Sequence, residues 1–536
     1  MHPFAATLYG IPGFDDLVPD GSEEGDRSWA REVGRVATAA GAFDRSGLDP
    51  EQLITLGCLH EAALQELAAV ESASPEYTVS SMPFDGPGMF LAVAARTVLV
   101  DGPAAGAYLS RLNRSGAWLD QLSERLRSGA AKGRLPVAPL VDQAISWADS
   151  VLASPAPEPL LAPRAPAGWN GASSWEEERR KAAAEVVRPA LAGWAETLRE
   201  IRPTSRDADH PGLVHIPGGE EDYRRAVRTH TTLDLTPEEL HRTGLEEIDR
   251  LEERAAEIGL SVGFHSLGEV FDALRSSAGQ KRPEDSIDDA VAAIRRAEAR
   301  APEVFPEPLP APCEVTPMPE VVATSGVAPH YTPPRLDGGR PGTFWFNTAR
   351  PTAGTGWDLE AVAFHEAVPG HHLQLSRLQL LSHLPGLQRQ RSITVFSEGW
   401  GLYAEQLAEE IGLYTDARGV LGAISASLLR AGRLVVDTGL HAFGWSRLQA
   451  LDFLTAHVPV PPEFLAAEVD RYIVMPGQAL SYLTGKLELL RLRAEAERLA
   501  GASFSLPAFH AAVLDHGSLP MPVLRDSIRA WTSRLV

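Results

Sequence analysis

The chain contains very little cysteine and comparatively little positive charge. Cys58 and Cys313 are its only two thiols in 536 residues, which excludes a disulfide framework and suits a reducing compartment. Lys and Arg number 49 against 71 Asp and Glu, so the formal net charge is −22. Because no basic stripe is present to neutralise phosphates, neither nucleic acid nor an anionic membrane surface is an expected partner.

Long apolar runs are also missing. No segment approaches the ~18 consecutive apolar residues that a membrane-spanning helix needs. The N-terminal stretch MHPFAATLYGIPGFDD has no basic region followed by an apolar run, so it does not read as a signal peptide. The expected location is the cytoplasm, with no membrane partner, and the oligomeric state is left open.

Alternating strand patterns are scarce, whereas helical periodicity is frequent. Apolar residues recur at steps of three and four in 49–72 and 174–201. Thr236 is placed to cap a further helix, with Pro237 first in the helix and Glu239 three residues after the cap. The sequence therefore predicts a mainly α protein.

The one stretch that resembles a strand is GRPGTFWFNTAR, residues 339–350. Two interpretations remain open for it. As an edge strand beside an active site it would accept an extended substrate through main-chain hydrogen bonds. As a strand of a core hairpin it would be purely structural.

The chain is too long for one compact core and predicts two or three lobes. Proline-rich stretches at 152–169 and 302–320 indicate surface connections. We place the domain boundary near residue 205, which gives an N-terminal helical region, 1–205, and a second region, 206–536.

Residues 363–376, AFHEAVPGHHLQLS, resemble the zinc motif H-E-x-x-H with a longer spacing. On a regular helix a step of six turns a side chain ~120° away, and a step of seven moves it ~10 Å along the axis. Neither His371 nor His372 could then share a metal with His365. Pro369 and Gly370 break the helix, however, and a loosened turn can bring a later histidine back beside His365. We favour His371 as that ligand, with His372 contacting substrate or bracing the site.

A third ligand is available in VFSEGWGLYAEQLAEE, residues 395–410. Glu398 is the better ligand candidate, and Glu405, two helical turns away, is placed to brace a ligand histidine. Two histidines, one glutamate and an open position constitute a catalytic zinc site, with one Zn²⁺ per chain. Glu366 is then the candidate general base for an attacking water.

Further polar groups lie downstream in two motifs. RYIVMPGQALSYLTGK supplies Tyr482 and Tyr472 as candidate donors to an oxyanion, and Gln478 as a candidate substrate contact. RLVVDTGLH places Asp437 between Arg433 and His441 on one helical stripe. This stripe is either a structural brace of paired charges or a site for a substrate carboxylate. His230 and Tyr331 are weaker candidates.

Four motifs, HEAVPGHHLQ, SEGWGLYAEQL, GRLVVDTGLHAFGWS and RYIVMPGQALSYLTGK, resemble the bacterial DUF885 family, which is gluzincin-like and akin to helical zinc carboxypeptidases and dipeptidases. The resemblance is good over roughly 210–536 and poor over 1–205. It implies a helical, two-lobed zinc-metallopeptidase-like fold around a deep central cleft, with a small hairpin or edge strand beside the active site. It also implies His365, His371 and Glu398 as ligands and Glu366 as base.

The sequence thus favours a zinc hydrolase that cleaves amide bonds of short peptides or peptide-like small molecules. A zinc enzyme of specialised metabolism, acting as an amide or ester hydrolase or as a lyase or dehydratase, is the alternative. A non-catalytic binding protein on the same fold is a third interpretation, which the presence of Glu366 disfavours.

Overall fold

The computed structural model of the protein describes residues 2–82, 85–277, 283–306, 309–318, 329–334, 341–348 and 356–536. Helix accounts for 70% of the structure and strand for 3%, so the prediction of a mainly α protein is confirmed. The two-lobed, zinc-peptidase-like arrangement around a deep cleft stays a prediction. The helices, in chain order, are α1 Pro3–Tyr9, α2 Glu23–Gly41, α3 Pro50–Glu71, α4 Gly86–Arg96, α5 Gly102–Ala131, α6 Ala138–Leu152, α7 Glu158–Leu161, α8 Ala172–Ala182, α9 Arg188–Ile201, α10 Gly219–Thr231, α11 Pro237–Ser261, α12 Leu267–Ser277, α13 Pro283–Arg300, α14 Leu359–Glu366, α15 His371–Leu380, α16 Gly386–Gln390, α17 Thr394–Glu410, α18 Ala417–His441, α19 Arg447–His457, α20 Pro462–Val474, α21 Ser481–Ala500, α22 Leu506–Leu514 and α23 Met521–Thr532.

Several helix boundaries follow directly from local chemistry. The predicted start of α11 is confirmed, because the Thr236 hydroxyl accepts from the Glu239 backbone N–H and the Glu239 carboxylate accepts from the Thr236 N–H. The helical stretch predicted over 174–201 is present as α8 and α9, joined by a π-helical segment, Ala183–Val187. Caps and periodicity depend only on residues within a turn or two, which is why they can be read from the sequence.

The structure divides into two compact units, each made of two stretches of chain. Met1–Gly34 and Glu66–Asp222 form the first, and Arg35–Gln65 and Tyr223–Val536 form the second. Each predicted domain is one continuous stretch of chain, whereas each unit of the structure combines two stretches. Residues 35–65, which the prediction places in the N-terminal region, belong to the unit that contains the histidine motif. The core of the first unit includes Phe4, whose ring meets that of Trp118 edge-on with centroids 5.3 Å apart.

The second unit carries all the candidate site residues, and the helices that bear the histidine motif and Glu398 pack around a common core. This core includes Phe364 of α14 together with Phe396 and Trp400 of α17. Helix α17 approaches α21 closely, since a Cβ on Gly399 would lie 2.5 Å from the Cα of Gly485. The two glycines therefore allow these helices to touch through their backbones.

A small sheet also belongs to the second unit. Its strands are β1 Glu314–Pro317, β2 His330–Thr332 and β3 Thr343–Phe346, in the order β1-β3-β2. Strand β3, predicted within 339–350, pairs in parallel with β1 and antiparallel with β2. The edge-strand interpretation of this segment is wrong, because both sides of β3 are occupied. Because prolines flank β1, the sequence predicts a surface connection over 302–320, where the structure has this strand.

Within the part of the chain that the structure describes, two helical stretches are long and apolar enough to cross a membrane when judged by length and composition alone. In Ala417–His441 the apolar window is 83% buried within the protein, which is typical of a core helix. In Pro50–Glu76 the corresponding figure is 28%.

Candidate metal centre

The histidine motif folds as two helices joined by a tight turn. Helix α14 ends at Glu366 and α15 begins at His371, so the break predicted at Pro369 and Gly370 is present. The indole N–H of Trp400 donates to the Pro369 carbonyl at 2.9 Å. A Cβ on Gly370 would lie 1.9 Å from the carbonyl oxygen of His365, so only glycine permits this approach.

This turn brings His365 and His371 together. Their ring centroids are 4.7 Å apart and the rings are nearly perpendicular. Glu398 of α17 completes a group of three, with its Oε2 3.6 Å from His365 Nε2 and 3.8 Å from His371 Nε2. One ligand atom from each residue lies within 4.8 Å of the other two. We refer to these three residues as the triad.

The triad fits a zinc ion in its chemistry and spacing. Two imidazole nitrogens and a carboxylate oxygen are the donors of many catalytic zinc sites. The separations of 3.6 and 3.8 Å are longer than hydrogen bonds. Atoms that each lie ~2.0–2.1 Å from a tetrahedral zinc are themselves about 3.4 Å apart, close to these values.

Glu405 lies behind His365 and orients it. Its Oε1 accepts a hydrogen bond of 2.8 Å from His365 Nδ1, which leaves His365 Nε2 facing Glu398. Arg430 of α18 lies 3.8 Å from the same oxygen. Burial on its own would raise the pKa of Glu405, but the charges of Arg430 and His365 lower it. Sequence reasoning proposed Glu405 for this bracing position and overlooked Arg430.

The triad region carries an excess of negative charge that a cation would balance. Burial opposes a charge on His365, yet Glu398, Glu405 and Glu366 together raise the pKa of His365 to about 10. Burial likewise opposes ionisation of Glu398, but its contacts with the two imidazoles hold the pKa of Glu398 well below its usual range. The two shifts have one physical origin, because a carboxylate and an imidazolium in contact each stabilise the charged form of the other.

Glu366 is anchored by the small sheet. Its Oε2 accepts a hydrogen bond of 2.8 Å from the backbone N–H of Tyr331 in β2. The carboxylate is therefore held at the end of α14, directly after the ligand candidate His365. Tyr331, a weaker candidate in the sequence, therefore contributes its backbone N–H to the site. A backbone donor of this kind cannot be recognised from the pattern of side chains in a sequence.

His372 points into a different network from its neighbour His371. Its Nε2 donates to the carbonyl of Ala311 at 2.7 Å, and its Nδ1 lies 3.0 Å from the Tyr331 hydroxyl. Burial lowers the pKa of His372, so the neutral ring donates at Nε2 and accepts at Nδ1. No lone pair is left for a metal, and His372 braces α15 against β2.

Tyr472 and Arg433 belong to a buried ion-pair cluster. The Tyr472 hydroxyl donates to Glu468 Oε2 at 2.7 Å, and Arg433 Nη2 donates to the same oxygen at 2.8 Å. Burial raises the pKa of Tyr472, which keeps its hydroxyl protonated. The structure therefore gives Tyr472 a partner other than the triad, and it does not support the expected role as an oxyanion donor.

Tyr482 packs against this cluster. The Arg433 guanidinium stacks on the Tyr482 ring at 4.4 Å from its centroid. Burial and the charge of Glu398 raise the pKa of Tyr482, while Arg433 and Arg471 lower it. The pKa of Tyr482 therefore responds to the charge of Glu398 as well as to the two arginines. Gln478 accepts a hydrogen bond from Arg471.

Asp437 is not paired with the cations that flank it along α18. Its Oδ1 accepts from the Tyr223 hydroxyl at 2.7 Å and from the Gly477 backbone N–H at 3.0 Å. Burial raises the pKa of Asp437 to about 7, against the lowering effect of these hydrogen bonds. His441 Nε2 donates to the Tyr472 carbonyl at 3.0 Å. The pairing expected along the Arg433–Asp437–His441 stripe is wrong, because helix packing supplies each of these residues with a partner elsewhere.

Gly401→Ala is expected to displace His365 and to reduce the metal content of the purified protein. A Cβ on Gly401 would lie 2.5 Å from His365 Cε1, and relieving such overpacking costs about 1–3 kcal/mol of stability. The matched control is Gly193→Ala in α9, where no atom lies within 4 Å of the added Cβ and a gain of about 1 kcal/mol is expected. Metal analysis and thermal unfolding test both variants. A Gly401→Ala protein with unchanged metal content would contradict this packing argument.

Two solved structures resemble the whole chain. A protein from Colwellia psychrerythraea, provisionally described as a lipoprotein, superposes with a TM-score of 0.87 and 26% identity, covering 99% of this chain and 96% of its own. A provisionally assigned lipoprotein of unknown function from Shewanella oneidensis superposes with a TM-score of 0.74 and 16% identity, covering 98% and 96%. At that identity the second likeness shows the fold alone. No curated protein matches the chain.

The family comparison covers more of the chain than the four motifs do. The family model described as "Bacterial protein of unknown function (DUF885)" matches residues 3–528. The match includes the N-terminal region in which the sequence showed little resemblance. The chain therefore belongs to the DUF885 family of bacterial proteins of unknown function.

Proposed function

We propose that this protein is a zinc-dependent hydrolase that cleaves amide bonds in short peptides or peptide-like small molecules. The observation that carries the proposal is the convergence of His365, His371 and Glu398, with Glu366 next to His365 and Glu405 behind it. Zinc, one ion per chain, would be held by these three residues. A zinc ion supplies Lewis acidity towards a carbonyl oxygen and lowers the pKa of water.

The roles of the chain's own groups follow from their positions. Glu366, held at Oε2 by the Tyr331 N–H, takes a proton from the attacking water and passes it to the leaving amine. Tyr482 is proposed to donate its hydroxyl proton in a hydrogen bond to the oxyanion. Glu405 keeps His365 in the tautomer that presents Nε2 to the triad.

Removal and return of metal should switch the activity off and on. Full-length protein treated with a chelator is expected to hydrolyse a panel of tri- to pentapeptides at least about 100-fold more slowly than protein reconstituted with one equivalent of zinc. Product formation is followed by mass spectrometry, and metal content by elemental analysis. Hydrolysis that is indifferent to chelation, or no hydrolysis of any peptide by zinc-loaded protein, would overturn the proposal.

The cellular location expected from the sequence is the cytoplasm, consistent with the two buried free cysteines. The two structural relatives are described provisionally as lipoproteins, which favours a membrane-associated or exported location instead. Fractionation of the bacterial host with an antibody against this chain separates the two proposals.

A further inference from the structure

In the second unit, two arginines share a single carboxylate. Glu468 Oε2 lies 2.8 Å from Arg433 Nη2 and 2.9 Å from Arg471 Nη2. The exposed fractions of the side chains are 8% for Arg433, 15% for Arg471 and 12% for Glu468. We call these three residues the basic cluster. It carries one net positive charge in a largely dry environment, where an unbalanced charge is costly.

Among the residues that the structure describes, the other hydrogen-bond partners of the basic cluster are neutral. Arg433 Nε donates to the Tyr472 hydroxyl at 3.2 Å, and Arg471 Nη1 donates to the side-chain oxygen of Gln478. Arg433 Nη1 is buried and has no hydrogen-bond partner among the residues that the structure describes. A buried N–H without an acceptor has lost its water and gained nothing in exchange. Arg433 Nη1 is therefore available to donate to an anionic acceptor.

The basic cluster is linked to the triad along two helices. Along α21, Tyr482 lies under Arg433, and one turn further on Gly485 touches Gly399, the residue after Glu398. The pKa of Tyr482 depends on both groups, because burial and the charge of Glu398 raise it while the charge of Arg433 lowers it.

The second route follows α18. Arg430, one turn before Arg433, lies 3.8 Å from the Glu405 oxygen that holds His365. A substrate with its scissile carbonyl at the triad thus has the basic cluster as a near neighbour.

We propose that the basic cluster binds a carboxylate of the substrate, so that the enzyme acts on peptides or peptide-like molecules with a free carboxylate close to the scissile amide. This inference rests on the proposed function and specifies its substrate class. The basic cluster attracts a carboxylate, which can accept a charge-assisted hydrogen bond from Arg433 Nη1. A substrate held there by its carboxylate has its direction fixed relative to the triad. In the reaction, water adds to the carbonyl, the C–N bond breaks, and the products are a carboxylate and an amine.

Binding to an inactive variant tests this inference directly. Zinc-loaded Glu366→Gln protein is titrated calorimetrically with trialanine and tetraalanine and with the C-terminal amides of the same peptides. The acids are expected to bind about 100-fold more tightly than the amides, as befits a partly buried charge pair. Equal affinity of acid and amide, or no binding of the acids, would overturn the inference.

Substitutions in the basic cluster then test whether it is the source of the preference for acid over amide peptides. Arg433→Gln and Arg471→Gln should each bring the ratio of acid to amide affinity close to one. The matched control is Arg447→Gln, which removes another arginine paired with an α20 carboxylate, Asp470, outside the basic cluster. It should leave the ratio unchanged. A ratio that survives both cluster substitutions in folded protein, or that collapses equally in Arg447→Gln, would contradict the assignment.

The ratio of acid to amide affinity is first measured in protein whose basic cluster is intact. The test therefore does not depend on whether the Arg433→Gln variant folds. Failure of this inference is also distinct from failure of the proposed function. Zinc-dependent hydrolysis of acid and amide peptides at equal rates would refute the carboxylate site and leave the hydrolase standing. Absence of any zinc-dependent hydrolysis would refute the hydrolase itself.

Discussion

His371→Ala is expected to lose bound zinc, whereas His372→Ala, one residue further along the chain, is expected to keep it. His371 Nε2 lies 3.8 Å from Glu398 and its ring meets that of His365. His372 has both ring nitrogens engaged by Ala311 and Tyr331. Removing one of three protein ligands should lower zinc affinity by more than about 100-fold, since even residues that only orient a ligand are worth 10–100-fold.

Elemental analysis of protein purified without chelator measures this difference. Native protein should contain about one zinc per chain, and His365→Ala should match His371→Ala in losing it. The His372→Ala variant serves as the control for removing a buried histidine from the same helix, and its thermal stability should fall while its zinc content holds. Zinc loss in His372→Ala alone would show that the ligand assignment is displaced by one residue.

Glu366→Gln is expected to retain zinc and to lose turnover by about 10²–10⁴-fold, the usual worth of a positioned general base. The substitution is conservative in shape. The amide oxygen of Gln can still accept the Tyr331 N–H that now holds Oε2, so the end of α14 should keep its geometry. What the amide cannot do at neutral pH is accept a proton from water.

Steady-state hydrolysis and zinc content, measured on the same preparation, separate this role from others. Glu463→Gln, at an exposed position in the first turn of α20, is the matched control and should change neither quantity. Glu405→Gln should instead act mainly on zinc content, because it weakens the hydrogen bond that orients His365 and so reduces zinc affinity first. Turnover that survives in Glu366→Gln would refute the assignment of Glu366 as base.

The features that could be predicted from sequence are those decided within a few residues along the chain. The Thr236–Glu239 cap and the break at Pro369 and Gly370 are examples. A proline without an N–H and a glycine without a Cβ act on the turn in which they stand, whatever packs around them. Two free thiols and an acidic balance were likewise visible in composition alone.

Choosing between neighbouring residues of one type required the tertiary structure. His371 and His372 are adjacent in sequence, and only the turn held by Trp400 directs one to Glu398 and the other to Ala311. The same holds for the tyrosines, since the Tyr472 hydroxyl donates to Glu468 whereas the Tyr482 ring stacks on Arg433. Such choices depend on contacts between distant segments.

By itself, then, the sequence of this protein determined a helical chain, the place where the histidine helix breaks, and the residue types of a zinc-like donor set. Only the tertiary structure decided that β3 is a central strand, that Asp437 pairs with Tyr223 instead of Arg433, and that residues 35–65 belong with the histidine motif. The physical reason is that a polar group in a folded interior takes the partner that packing brings within about 3 Å. Sequence spacing limits the candidates to one face of a helix, and the neighbouring helices select among them.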